Sequence, residues 1–220
     1  MCGRFAITLP PDAMAQLFEA APANDLPDVP NFNVCPTTRV HAVTSAGGRR
    51  LVALRWGFLP KWYKAPNDGP LLINARAETV AEKPAFRTAV RATRCLIPAT
   101  GFYEWTKDDA GNRLPWYIAR TDGAPLVFAG IWSIWEQGED TLQTCAIVTT
   151  AAIGDMTNIH HRVPVVLEPD SWALWLGEEG HGAARLMAAP LEGVLRFHRV
   201  DPQVNSNRAS GSDLIEPIAL

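Results

Sequence analysis

The chain contains no C-x-x-C pair: its four cysteines, Cys2, Cys35, Cys95 and Cys145, stand far apart. That excludes the usual zinc spacing, and four thiols in 220 residues are too few for a disulfide scaffold. There is no apolar run near the roughly 20 residues that span a bilayer. The N-terminus, Met1-Cys2-Gly3-Arg4-Phe5, has no basic segment followed by an apolar stretch, so no signal peptide and a cytoplasmic location are expected. Internal repeats, low-complexity tracts and interdomain linkers are also missing, which leaves one domain over residues 1–220 as the expectation. With 47% hydrophobic and 20% charged residues, the chain has enough apolar surface to fold and is not a disordered polymer.

Lysine is scarce as well, with 16 of the 20 basic residues being arginine. Arginine suits bidentate contacts to phosphate, although the many Ala and Pro residues also fit a GC-rich coding bias. The net charge of -3 argues weakly against a nucleic-acid partner, but the distribution of charge argues otherwise. Residues 1–100 hold 12 Lys and Arg against 7 Asp and Glu, whereas residues 101–220 hold 8 against 16. Such asymmetry can build an anion-attracting face on an acidic protein.

What is present reads as many short strands with a few peripheral helices. Strands are expected over Arg4–Thr8, Val40–Thr44, Leu51–Trp56, Leu96–Pro98, Phe102–Thr106, Trp116–Arg120, Leu126–Trp135, Thr144–Thr149, Val163–Leu167 and Leu195–Val200. A helix follows Pro10-Pro11-Asp12, with Met14, Leu17 and Phe18 on one face, and another over Glu78–Arg91 is interrupted by Pro84. Short helices are expected at Pro169–Leu176 and Ala183–Ala188, and loops at 22–38 and 59–72. The absence of a βαβ rhythm points to an α+β class with a central curved or barrel-like antiparallel sheet.

Four segments carry chemistry. Removal of Met1 would leave an α-amine and a thiol on Cys2, both partly nucleophilic near neutrality. Such a 1,2-aminothiol can attack an aldehyde through its amine and close a thiazolidine ring through sulfur; a buried or incidental second residue is the alternative. In Ile73-Asn74-Ala75-Arg76-Ala77-Glu78-Thr79, Asn74 offers a donor and an acceptor and Arg76 a fork for phosphate, or Asn74 simply sits at a turn before a helix. In Gly101-Phe102-Tyr103-Glu104-Trp105, alternation puts Glu104 beside Phe102, where a carboxyl can become a general acid or base; a solvent-facing strand Glu is the plainer reading. In Ile159-His160-His161-Arg162-Val163-Pro164, adjacent histidines should point different ways, so only one faces a site and no shared metal is expected; a surface loop is the plainer reading here.

These pieces, with Asn33-Val34-Cys35-Pro36 and Trp56-Gly57-Phe58, occur in an order and spacing that resembles the SOS-response-associated peptidase (SRAP) family, from Cys2 to Leu214-Ile215-Glu216-Pro217. The resemblance implies an abasic-site sensor that binds single-stranded DNA and links covalently to the ring-opened sugar aldehyde after a peptidase-like maturation exposes Cys2, with lyase activity as a further option. It implies Cys2 as nucleophile, Asn74, Glu104 and His160 as the rest of the catalytic set, and Arg4, Arg76 and Arg162 as phosphate holders. Trp62 and Tyr63 would form an aromatic wedge, next to an apparent Asn67-Asp68 insertion. No cofactor, metal or membrane is implied; a monomer, associated with the nucleoid when bound to DNA, is expected. The competing readings are an N-terminal-cysteine amidohydrolase such as a glutaminase, and a non-catalytic single-strand-binding module.

Overall fold

The computed structural model describes residues 2–218. In chain order it contains β1 (Phe5–Ile7), α1 (Pro11–Phe18), β2 (Ala21–Pro22), β3 (Asn31–Val34), β4 (Arg39–Ser45), β5 (Arg49–Trp56), β6 (Asn74–Arg76), α2 (Ala89–Ala92), β7 (Arg94–Ala99), β8 (Gly101–Lys107), β9 (Arg113–Arg120), β10 (Leu126–Gln137), β11 (Asp140–Ala151), β12 (Arg162–Pro164), α3 (Trp172–Leu176) and β13 (Leu195–Arg199). No described helix is long and apolar enough to cross a membrane.

The strands form two sheets. One is a five-stranded antiparallel sheet ordered β13-β9-β8-β1-β3. In the other, β11 pairs with β10, β10 with β7, β7 with β4, β4 with β5, and β5 returns to β11 in parallel at Thr144↔Arg55 and Cys145↔Trp56. That ring of five strands closes on itself, which removes the exposed edges of its long central strands. β12 and β6 are added along the end of β11, β6 in parallel register.

The chain passes between the sheets at Thr100, whose N–H donates to Ala6 O at 2.7 Å and whose hydroxyl accepts from Thr8 N–H at 2.8 Å. Alternation along β1 and β8 sends Phe5 and Phe102 toward the barrel and Ala6 and Tyr103 to the other face. Phe5 lies 5.1 Å from Trp56 and 6.1 Å from Phe128 between ring centroids, and Phe102 lies 5.9 Å from Phe128. These tilted and edge-on contacts join the two sheets into one core. A smaller core on the far face packs Tyr103 and Tyr117 against Val200, Val204 and Leu214 from the C-terminal turns.

The α+β class and barrel-like sheet expected from the strand pattern are present, and four local readings need correction. The loop expected at 22–38 contains β3, paired with β1. Leu17 is 40% exposed, because an eight-residue helix buries only the Met14–Phe18 pair. The helix expected over Glu78–Arg91 is a chain of turns, with only Ala89–Ala92 forming a regular α-helical turn. Pro84 explains this, since it lacks an N–H and its ring crowds the carbonyl four residues back. Asn74 stands at the head of a strand and not in a turn.

Candidate active site

β1 runs antiparallel to β8 with Phe5 opposite Phe102, and Tyr103 N–H donates to Arg4 O at 2.9 Å. This register carries the residues before Phe5 alongside Glu104. Cys2 is fully buried there, and the Asn74 side-chain Nδ2 donates to its carbonyl oxygen at 2.9 Å. The other end of the Asn74 amide, Oδ1, is buried with no hydrogen-bond partner among the described residues. A buried acceptor left open in this way costs stability, and beside a nucleophile it is available to a substrate or amine N–H.

Glu104 is 3% exposed, and burial pushes its carboxyl pKa up. Burial likewise drives the Cys2 thiol well up, with the Glu104 charge adding to the effect. Both groups are shifted toward their protonated forms, and the thiol is not a ready thiolate in this environment.

Asn74 is delivered by β6, which pairs in parallel with β11 through Ile147↔Asn74 and Thr149↔Arg76. The Trp56-Gly57-Phe58 segment supports the approach to this strand. Trp56 Nε1 donates to Ile73 O at 3.0 Å, and Phe58 N–H to Leu72 O at 2.9 Å. On the other side of β11, β12 brings Arg162 opposite Ala151. The guanidinium of Arg162 forms a forked pair with Glu78, Nη1 to Oε1 at 2.7 Å and Nη2 to Oε2 at 2.9 Å, and Nη2 also donates to Thr149 O at 2.7 Å. Held this way, the Glu78 carboxyl is pulled down to about 2 by its hydrogen bonds to Arg162.

The Arg162 backbone N–H donates to His160 Nδ1 at 2.9 Å. The neutral imidazole therefore carries its proton on Nε2. Burial, with the neighbouring His161 adding to it, lowers the His160 pKa to about 4. The two histidine rings stack, 4.3 Å apart and 25° from parallel, instead of pointing apart as expected. The reason is that the regular strand begins only at Arg162, so the alternation rule does not reach His160.

The expected site residues thus fall into two groups joined by β6. Asn74 holds Cys2 at its start, and the Glu78 that follows it holds Arg162. Of the three arginines, Arg76 is exposed. Arg4 is tied down, with Nη1 donating to Asn33 Oδ1 at 2.6 Å and Val204 O at 3.1 Å. Arg4 and Arg162 each keep a buried Nε without a hydrogen-bond partner among the described residues. The aromatic pair is divided too. Trp62 is 57% exposed, but Tyr63 is 8% exposed, with its hydroxyl donating to Pro70 O at 3.3 Å. Tyr63 packs with Leu59 and Trp135 and anchors the loop that displays Trp62. Sequence reasoning missed Glu78 and Asn33 as functional partners; both lay inside the motifs, but neither carried a chemical reason at that stage.

The family model for SOS response associated peptidase (SRAP) matches residues 1–207. The abasic site processing protein YoaM of Bacillus subtilis is 34% identical over 98% of both chains. The abasic site processing protein YedK of Escherichia coli is 32% identical, covering 99% of this chain and all of its own. The abasic site processing protein HMCES of Pongo abelii is 29% identical over the whole of this chain and 77% of its own. In fold, a crystal structure of a Bacteroides thetaiotaomicron protein superposes with a TM-score of 0.84 at 22% identity, covering 99% of this chain and 100% of that one. With the match running through Cys2, the Asn74–Glu78 segment, Glu104 and the His160–Arg162 turn, the chain belongs to the SOS response associated peptidase family.

Proposed function

We propose that this protein processes abasic sites in single-stranded DNA by forming a covalent thiazolidine crosslink through Cys2. The observation that carries the reading is the placement of Cys2 at the centre of the fold, pinned by Asn74 and next to the buried Glu104. Named relatives along the full length of the chain support the substrate.

Loss of Met1 frees the Cys2 amine, which is the maturation step. A proton then moves from the C1′ hydroxyl of the abasic sugar to the ring oxygen, opening it to an aldehyde. The amine adds to that aldehyde and the carbinolamine loses water to give an iminium. The thiol sulfur adds to the same carbon and its proton returns to the group that protonated the departing water, which closes the five-membered ring with a neutral nitrogen. One water leaves overall, and no oxidant or reductant is needed. Glu104, with its raised pKa, suits proton donation to the ring oxygen and to the departing water. His160, held neutral, suits the return of protons. The open Oδ1 of Asn74 suits orienting the amine for attack. The iminium is also the branch to strand cleavage, by loss of a C2′ proton and departure of the 3′ phosphate, which is the lyase outcome.

Arg76 contacts a phosphate directly, and Arg4 and Arg162 add positive charge with their unspent Nε–H groups. Trp62 supplies the stacking surface, with Tyr63 as its support. The protein acts as a monomer on DNA in the cytoplasm, at the nucleoid. Intact mass after mixing with an abasic oligonucleotide tests Met1 loss and adduct formation together. Cys2→Ala is expected to lose the stable adduct while keeping a borohydride-trappable imine through the alanine amine. A heat-stable adduct formed equally well by Cys2→Ala would overturn the thiazolidine assignment.

A further inference from the structure

Arg4 lies just before β1 and Asn33 lies in β3, and the two strands pair with Phe5 opposite Val34. Phe5 and Val34 face the barrel core, so alternation turns Arg4 and Asn33 together to the opposite face, where the C-terminal turns pack. There Asn33 is buried, and both ends of its side-chain amide are used. Nδ2 donates to Ser206 O at 3.1 Å and to Ala209 O at 2.7 Å, while Oδ1 accepts from Arg4 Nη1 at 2.6 Å. The chemistry of the neighbours fixes this orientation. Two carbonyls can be met only by the NH2 end, and a guanidinium only by the oxygen. A staple for the 206–209 segment would need the NH2 end alone. The acceptor end is spent on Arg4, 29 positions away.

The consequence falls on the other donors of Arg4. Nη1 also donates to Val204 O at 3.1 Å, so both of its hydrogens are committed within the protein. Nη2 and Nε carry no hydrogen bond among the described residues, and no ion pair involves Arg4 there. Nε–H and Nη2–H form one edge of the guanidinium fork, which fits two oxygens of a phosphate.

Resting on the reading of the active site given above, we propose that Asn33 is a positioning residue for DNA binding. It pins one nitrogen of Arg4 and so presents the free Nε–Nη2 edge to a phosphate, two residues from the reactive Cys2. An arginine that swings freely loses its rotamer freedom when it grips a phosphate, whereas one already held loses less. Asparagine suits the position because it joins one acceptor to two donors in a short, stiff side chain. Asp in its place would set a carboxylate against the Ser206 and Ala209 carbonyls. The same C-terminal turn has a second, independent attachment. Trp105 Nε1 donates to Asn205 Oδ1 at 2.6 Å, and Asn205 Nδ2 donates to Arg113 O at 3.3 Å. Loosening the turn there leaves the Asn33 amide and Arg4 untouched.

The test is a double-mutant cycle on full-length mature protein with an undamaged single-stranded oligonucleotide, read as affinity over a range of salt concentrations together with melting temperature. Arg4→Ala is expected to weaken binding about ten-fold and to make the log-log salt slope shallower by about 0.7, one phosphate. Asn33→Ala is expected to weaken binding about five-fold in the parent protein but less than about two-fold in Arg4→Ala, because it acts through the guanidinium. Asn205→Ala is expected to lower the melting temperature and leave affinity and salt slope unchanged. A five-fold loss that persists in Arg4→Ala, or one that Asn205→Ala reproduces, would reduce Asn33 to a staple of the C-terminal turn and overturn the proposal. Unchanged binding in Arg4→Ala would overturn it as well. Should Asn33→Ala fail to fold, the parent protein decides by heteronuclear NMR without DNA. Separate signals for the two Nη atoms of Arg4 are expected, since a pinned guanidinium rotates slowly, and a single averaged signal would overturn the proposal. Absence of an adduct with an abasic oligonucleotide, with the Asn33–Arg4 coupling intact, would instead overturn the Cys2 chemistry and leave Asn33 as a positioning residue.

Discussion

At the scale of single residues, removal from water acts on three groups in one direction. It holds the Glu104 carboxyl and the Cys2 thiol toward their protonated forms and the His160 ring toward its neutral form. Groups shifted in this way are suited to passing protons within a site closed to water. Glu104→Gln keeps shape and hydrogen bonding but removes the titratable proton. It is expected to slow single-turnover crosslinking while leaving DNA affinity within about 1 kcal/mol, the scale of one ordinary hydrogen bond. By microscopic reversibility, adduct reversal should slow in the same variant. A loss of DNA binding and melting temperature in step with the rate would reassign Glu104 to the fold. For His160, the folded pKa of about 4 lies below the ordinary 6.5. Its protonation limb in the rate profile should therefore fall near pH 4, and His160→Ala should remove it. A limb remaining near pH 6.5 and lost in His160→Ala would contradict the neutral-imidazole assignment.

At the scale of elements, the short strand β6 couples the two halves of the site. Its first residue pins Cys2, and the residue two past its end pins Arg162. Arg162→Ala removes a nine-tenths-buried guanidinium and its fork. The expected loss is about 1–2 kcal/mol, near the low end for charge-assisted bonds because Glu78 is 48% exposed and partly screened. Glu78→Gln should cost less, and the double variant should be less destabilised than the sum of the two. Additive melting shifts would show that the pair does not couple. The pH dependence has a defined sign. The Glu78 carboxyl sits at about 2 when folded against 4.5 ordinarily, so its contribution is complete above about pH 4.5 and is lost as pH falls toward 2. The lowered His160 contributes stability above about pH 6.5 that is lost on the way to pH 4. Acid unfolding of the parent protein should therefore begin earlier than that of His160→Ala, measured relative to each protein's own neutral stability.

At the scale of the whole molecule, the charge asymmetry of the sequence divides along the order of its elements. The arginine-rich first hundred residues supply β6, the Trp62 loop and the 78–94 turns. The acid-rich remainder includes β9, β10 and the C-terminal turns. A protein with net charge -3 can still attract a polyanion where its basic residues gather. Affinity for single-stranded DNA should fall with salt at about -0.7 per neutralised phosphate on a log-log plot. Arg76→Ala should make that slope shallower by about one phosphate without changing base preference. An unchanged slope would take Arg76 off the DNA path.

The sequence alone determined the α+β class and most strand positions, and it drew attention to the residues proposed to carry the chemistry. Period-two alternation is a local property, so it correctly placed Phe102 and Glu104 on the face opposite Tyr103 and Trp105. The position of Cys2 next to the removable Met1 was likewise legible without a fold. Tertiary structure decided what depends on partners distant along the chain. Asn74 looked like a turn residue because the strand it belongs to exists only through pairing with β11, some seventy residues later. The pairing of Arg162 with Glu78 was not legible, because it spans 84 positions. Tyr63 read as half of a wedge because nothing local shows that Leu59 and Trp135 close over it. Side-chain chemistry and alternation are written residue by residue, whereas burial, ion pairing and the closure of the barrel arise only when remote segments meet.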